Sequence, residues 1–124
     1  MAFDYKGFTP KTVDELFKGL GSALSDEAGS WFAKNREQSS GYLRSISEAV
    51  IQTKIDYAAG RISKADAEFL MRSHKRAMKV YLNGLKYETY EFRQTILDTA
   101  VRALGHAIVN LTGVNIAPQL VQSG

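Results

Sequence analysis

The sequence predicts an all-α fold: a long antiparallel helical hairpin preceded by a shorter N-terminal helix, able to assemble as an oligomeric, coiled-coil-like bundle. Three observations carry this. Proline occurs only at Pro10 and Pro118, so nothing between them is an obligatory helix breaker. Apolar residues recur at helical spacing through most of that interval, with Gly60 as its clearest punctuation. From Met71 onward they also step by sevens, the period of a supercoiled seam. With 124 residues, 44% of them hydrophobic, the chain suits one globular domain with a core of its own.

Residues 1–10 read as an extended arm, because Phe3, Tyr5 and Phe8 alternate without helical period. Their rings need something to lie against, either the arm's own domain or a neighbour. A helix is expected over 12–24. Thr12 and Glu15 form a T-x-x-E capping box, and Val13, Leu16, Phe17 and Leu20 share a face, while Gly19 and Gly21 shorten it. A second start falls at Ser25, where Asp26 and Glu27 suit a helix N-terminus. The helix over 26–59 then carries one stripe of Leu43, Ile46, Val50 and Tyr57, and is weakened near Ser39-Ser40-Gly41. Gly60 suits a left-handed C-terminal cap, and Ser63 with Asp66 suits the next N-cap, which makes a tight hairpin. From Lys64 the helical pattern runs to Leu111, on the order of 70 Å if straight. Gly84 and Gly105 mark a bend or a close crossing within it. Residues 112–124 form an uncharged tail.

The long helix supplies the expected oligomer interface. Met71, Met78, Leu85 and Phe92 step by sevens, and Leu82 and Ile96 follow two of them by four. Beyond Ile96 the face turns small, with Ala100, Ala103 and Ala107 beside Leu104, Ile108 and Leu111, which lets helix axes approach closely. Replacing Leu85 or Ile96 with Asp is expected to dissolve the assembly or unfold the chain. No charge occurs after Arg102. The stretch from Ala103 to Gly124 therefore needs cover, from another subunit, from the chain's own hairpin, or from a membrane.

The net charge of +3 hides a strong asymmetry. Residues 61–86 hold seven Lys/Arg against two Asp/Glu, whereas the segments on either side are slightly acidic. Arg72, Lys79, Lys86 and Arg93 are spaced by sevens, and Lys75 and Arg76 fill the same side. With Tyr87 and Tyr90 nearby, this basic stripe has the makings of a sequence-nonspecific nucleic-acid contact, cations on phosphates and rings on bases. The plainer reading is a solvated outer face, or one that pairs with acids on another subunit.

Little else in the chain points to chemistry. The absence of cysteine removes disulfides, thiolate metal sites and a cysteine nucleophile. His74 and His106 stand 32 positions apart with no metal-ligand spacing. The acid pairs Asp14/Glu15, Asp26/Glu27 and Glu88/Glu91 lie where helices favour acids or on a polar face. No nucleophile elbow or phosphate-binding glycine loop is present. No catalytic residue, metal or cofactor is expected. Asp4 and Lys6 interrupt what would be the apolar part of a secretory signal, and no apolar run approaches the roughly 18 residues of a membrane span.

The stretch I-D-Y-A-A-G-R-I-S-K-A-D-A-E-F-L-M, followed by the alanine-rich A-V-R-A-L-G-H-A-I-V-N-L-T-G-V, resembles small helical proteins encoded among tailed-phage and prophage tail or virion genes. The resemblance covers about half the chain and implies a non-enzymatic, oligomeric virion or tail component, located in the virion or the host cytoplasm. It implies as partners further copies of the chain and other assembly proteins. A rival resemblance, to the secreted helical hairpins of about a hundred residues, lacks that family's W-x-G turn, since Trp31 is followed by Phe32 and Ala33. Nucleic acid ranks behind a structural role as the expected partner, and a membrane behind both.

Overall fold

A computed structural model describes residues 2–116. These form three helices and no strand: α1 (Val13–Ala58), α2 (Lys64–Asn83) and α3 (Tyr90–Thr112). The all-helical expectation holds, while the division into elements differs from the expected one in two places.

The first difference is one of position: α1 is two rods, as the separate helices expected over 12–24 and 26–59 imply, but the break sits at Ala28. Ala28 has non-helical dihedrals, φ −152° and ψ 62°. Arg44 donates to Asp14 at 2.8 Å, although 30 residues of straight helix would hold them about 45 Å apart. The segment before Ala28 therefore folds back along the segment after it. The break falls within three residues of the start expected at Ser25. At Ser39-Ser40-Gly41, where weakness was expected, the helix continues, and the buried Ser39 hydroxyl is satisfied by donating to the Asn35 carbonyl at 2.8 Å. The N-terminus is capped by Thr12, whose Oγ1 accepts from the Glu15 amide at 3.1 Å. Glu15 reaches past Thr12 to accept from the Lys11 amide, so the box is shifted by one residue.

The hairpin between α1 and α2 forms as expected. Gly60 takes φ +76°, which only glycine adopts without strain. Ser63 and Asp66 cap α2 reciprocally, each side chain accepting from the other's amide.

The second difference is larger: the expected helix over 64–111 is two helices joined by a turn at 84–89. The turn is held by Trp31 from outside it and by its own Tyr87 and Thr89. Trp31 Nε1 donates to the Lys86 carbonyl at 2.9 Å, and the Tyr87 ring stacks on Trp31 with centroids 4.9 Å apart. The Tyr87 hydroxyl donates back to the Leu82 carbonyl, and Thr89 Oγ1 accepts from Phe92 N to start α3. Burial pushes the Tyr87 phenol up to about 12. Folding back at this turn lays α3 chiefly against α1, with α2 beside both. Four helical rods then enclose one core.

That geometry corrects the expected oligomer interface. Met71, Met78, Leu82, Ile96, Ala100, Ala103, Ala107 and Ile108 are all buried within a single chain, facing Leu16, Leu20, Leu43 and Val50 of α1. Leu85, Phe92 and Leu111 are half-buried against the same core. The period-seven seam is real, but its partner is the chain itself, because the turn at 84–89 brings the second half of the seam back upon the first. Part of the uncharged end is covered in the same way, since Val114 and Ile116 are also buried. Residues 117–124 of the expected tail lie outside the described residues.

The arm packs on its own domain. Phe3 meets Tyr5 and Phe8 edge to face, and Arg102 lies over the Tyr5 ring at 4.1 Å. Asn110 Nδ2 donates to the carbonyls of Lys6 and Phe8. Gly19 makes room for this, because a Cβ there would overlap the Phe8 ring.

Candidate functional site

The basic stripe separates into two groups. Arg72, Lys75, Arg76 and Lys79 line one groove of about 450 Å³ between α2 and α3, together with Val80 and Asn83 of α2 and Gln94 and Leu97 of α3. Their placement follows from α2's period: Ala67, Met71, Met78 and Leu82 turn into the core, which leaves the cations on the side that borders α3 and solvent. Lys86 sits in the turn at 84–89 and Arg93 lines a separate depression of about 200 Å³ with Glu88, Thr89 and Tyr90. The seven-residue spacing that joined all six in the sequence is thus interrupted by the turn.

The groove concentrates positive charge with little to offset it. Arg72 is the only one of the four in an ion pair among the described residues, with Glu68 at a long 3.9 Å. From Phe69 to Tyr87 the chain carries five cations and no acid. Lys75 shows the effect directly. Burial, reinforced by Lys79, Arg72 and Arg76, holds its ammonium below the ordinary lysine range. Its Nζ donates to the Ile116 carbonyl at 3.1 Å, which ties the segment after α3 to α2. An anion entering the groove would relieve this mutual repulsion.

The rings expected beside the stripe are largely engaged elsewhere. Tyr87 is turned inward onto Trp31, and Tyr81 stacks on Tyr42 at 3.9 Å while its hydroxyl donates to the Gln38 carbonyl. Tyr90 is exposed, but the Arg93 guanidinium lies over it at 5.3 Å. The groove therefore offers cations and amides, with no free tyrosine ring beside them.

Val80, Asn83, Gln94 and Leu97 were missed in the sequence. Val80 lies one turn beyond Arg76, so its place on α2 was readable. Gln94 and Leu97 join the groove only through the turn at 84–89, and no local pattern gives that.

The remaining titratable groups serve the fold. Thr53 donates its hydroxyl hydrogen to the Ala49 carbonyl, so it accepts from His74 Nε2–H at 2.9 Å, which sets that tautomer. His106 is buried with Nε2 unpaired. Asp14 is bound by Arg44 and Lys18, whose hydrogen bonds hold its carboxyl below the usual range. Among the described residues no three His, Asp or Glu gather as metal ligands, and no helix is long and apolar enough to cross a membrane.

Set against protein-family models, curated proteins and solved structures, the chain matches none of them.

Proposed function

We propose that this protein is a non-enzymatic interaction component that docks through the α2–α3 groove onto a surface dense in negative charge. The observation that carries this is the convergence of Arg72, Lys75, Arg76 and Lys79 on one groove with almost no acid to neutralise them. The burial of the period-seven seam supports it too, because the apolar surface that would have bound further copies is spent on the chain's own core. The recognition is of charge and not of bases, since the neighbouring tyrosines are stacked or covered. Heparin, a sulfated polyanion, is a direct probe. The wild type is expected to be retained on immobilised heparin and to elute at a salt concentration that drops sharply for Arg72, Lys75, Arg76 and Lys79 all changed to Gln. Equal elution of the two proteins would sink the reading.

A place in a phage virion or tail is the second reading, and one observation favours it. The segment that carries the resemblance, 55–71, leaves Ile55, Phe69 and Leu70 exposed near the α1–α2 hairpin, as a protein contact would. Light scattering separates the readings: a mass well above 13.7 kDa that survives high salt supports assembly through apolar contacts, and a single-chain mass removes that support.

A further inference from the structure

The charged groove does not account for the apolar side chains that share its helix. Phe69 is 58% exposed and Val80 70%, the two most exposed large aliphatic or phenylalanine side chains among the described residues. Eleven residues separate them, which at 100° per residue places them within about 20° of the same direction on α2 and about 16 Å apart along it. Arg76 lies between them in that direction, and Arg72, Lys79 and Asn83 flank it on the groove side. The outward face of α2 is thus an apolar residue near each end with guanidinium and ammonium groups between. The two acids near its start are engaged, Asp66 by the cap of α2 and Glu68 by Arg72.

Resting on the reading of the groove as an anion-docking surface, we propose that its partner is the surface of an anionic lipid bilayer. On this proposal α2 lies in the plane of the headgroups, with Phe69 and Val80 inserted toward the acyl chains. Arg72, Arg76 and Lys79 engage lipid phosphates. The aliphatic stems of the cations lie along the apolar boundary while their charged ends stay among the headgroups. Anionic headgroups supply the negative potential that an acid-free run of five cations complements. A nucleic-acid backbone would satisfy the cations but gives Phe69 and Val80 nothing to enter. The contact is peripheral, in keeping with the absence of a spanning helix among the described residues.

The test is co-sedimentation of the full chain with vesicles of phosphatidylcholine, with and without phosphatidylserine, run beside heparin elution and binding to a labelled DNA duplex. The wild type is expected to sediment with the anionic vesicles and to stay in solution with the neutral ones. Phe69→Ser with Val80→Ser should lower vesicle partitioning by about tenfold or more. Both residues are exposed, so thermal melting should not move; Phe69 lies outside the groove, so Phe69→Ser alone should also leave heparin elution unchanged while weakening vesicle binding. Vesicle binding unchanged in that double variant overturns the proposal, as does tight binding of duplex DNA with none to anionic vesicles. If the wild type ignores vesicles while heparin retention still depends on the four groove cations, the lipid assignment fails and the groove reading stands. If the four-Gln variant keeps both activities, the groove reading fails and this proposal falls with it.

Discussion

At the scale of single residues, the two histidines show how burial sets a protonation state. His106 has an unpaired Nε2 and is buried near Arg102 and Lys6; burial first, and those two cations after it, hold its imidazole below the ordinary value of 6.5. His74 is lowered by burial alone. Both rings therefore favour the neutral form in the fold. An unfolded chain would take up protons as pH falls through about 6.5, before the folded chain does. Stability from these groups is fully present above that pH and is lost as pH drops through the depressed folded values. The melting temperature should accordingly decline on acidification from about pH 6.5, and His74→Gln with His106→Gln should flatten that part of the profile. Identical profiles for the two proteins would remove the histidines from the account. The residue scale also explains Trp31, whose one polar atom holds the carbonyl of Lys86 and whose ring receives Tyr87. Its place in the sequence, 55 positions from its partner, gave no hint of that role.

At the scale of helices, ends were more legible than continuity. Thr12, Gly60, Ser63 and Asp66 act by local hydrogen bonding and backbone preference, and each does what its type implies. Ser63→Ala removes one arm of the α2 cap and should cost about 1 kcal/mol in a denaturant titration. A change within a few tenths of zero would mean that packing alone starts the helix. A break near Ser25 and a bend near Gly84 were legible, but that the chain folds back at each was not. Ala28 is an ordinary helix former, and its break is imposed by the contacts that hold the two rods together, Arg44 on Asp14 and on the Phe17 ring among them. Likewise Gly84 hinted at a bend, but the turn after it depends on Trp31. The groove shared that fate. Its four cations were visible as a run on one helix, while its far wall of Gln94 and Leu97 depended on where α3 came to lie.

At the scale of the molecule, the seam that reads as an oligomer interface works as an internal one, and this distinction can be measured. Ile96→Ala or Leu82→Ala should each destabilise the fold by roughly 2–5 kcal/mol, the usual loss for emptying a fully buried aliphatic site. The melting temperatures of wild type and variants should not depend on protein concentration. A melting temperature that climbs with concentration would place the seam between chains instead. The order in which the rods meet has a separate consequence, for how the chain reaches this state. Successive rods turn back at Ala28, Gly60 and 84–89, so each meets the one before it across a short connection at small loop-closure cost, while the more extensive packing of α3 on α1 closes a longer loop. The arm is the exception. Its bonds to Asn110 join positions 102 and 104 residues apart, the longest loops closed by any side-chain hydrogen bond described. The arm therefore has the largest closure cost to meet, and it ties the far part of α3 back across the bundle.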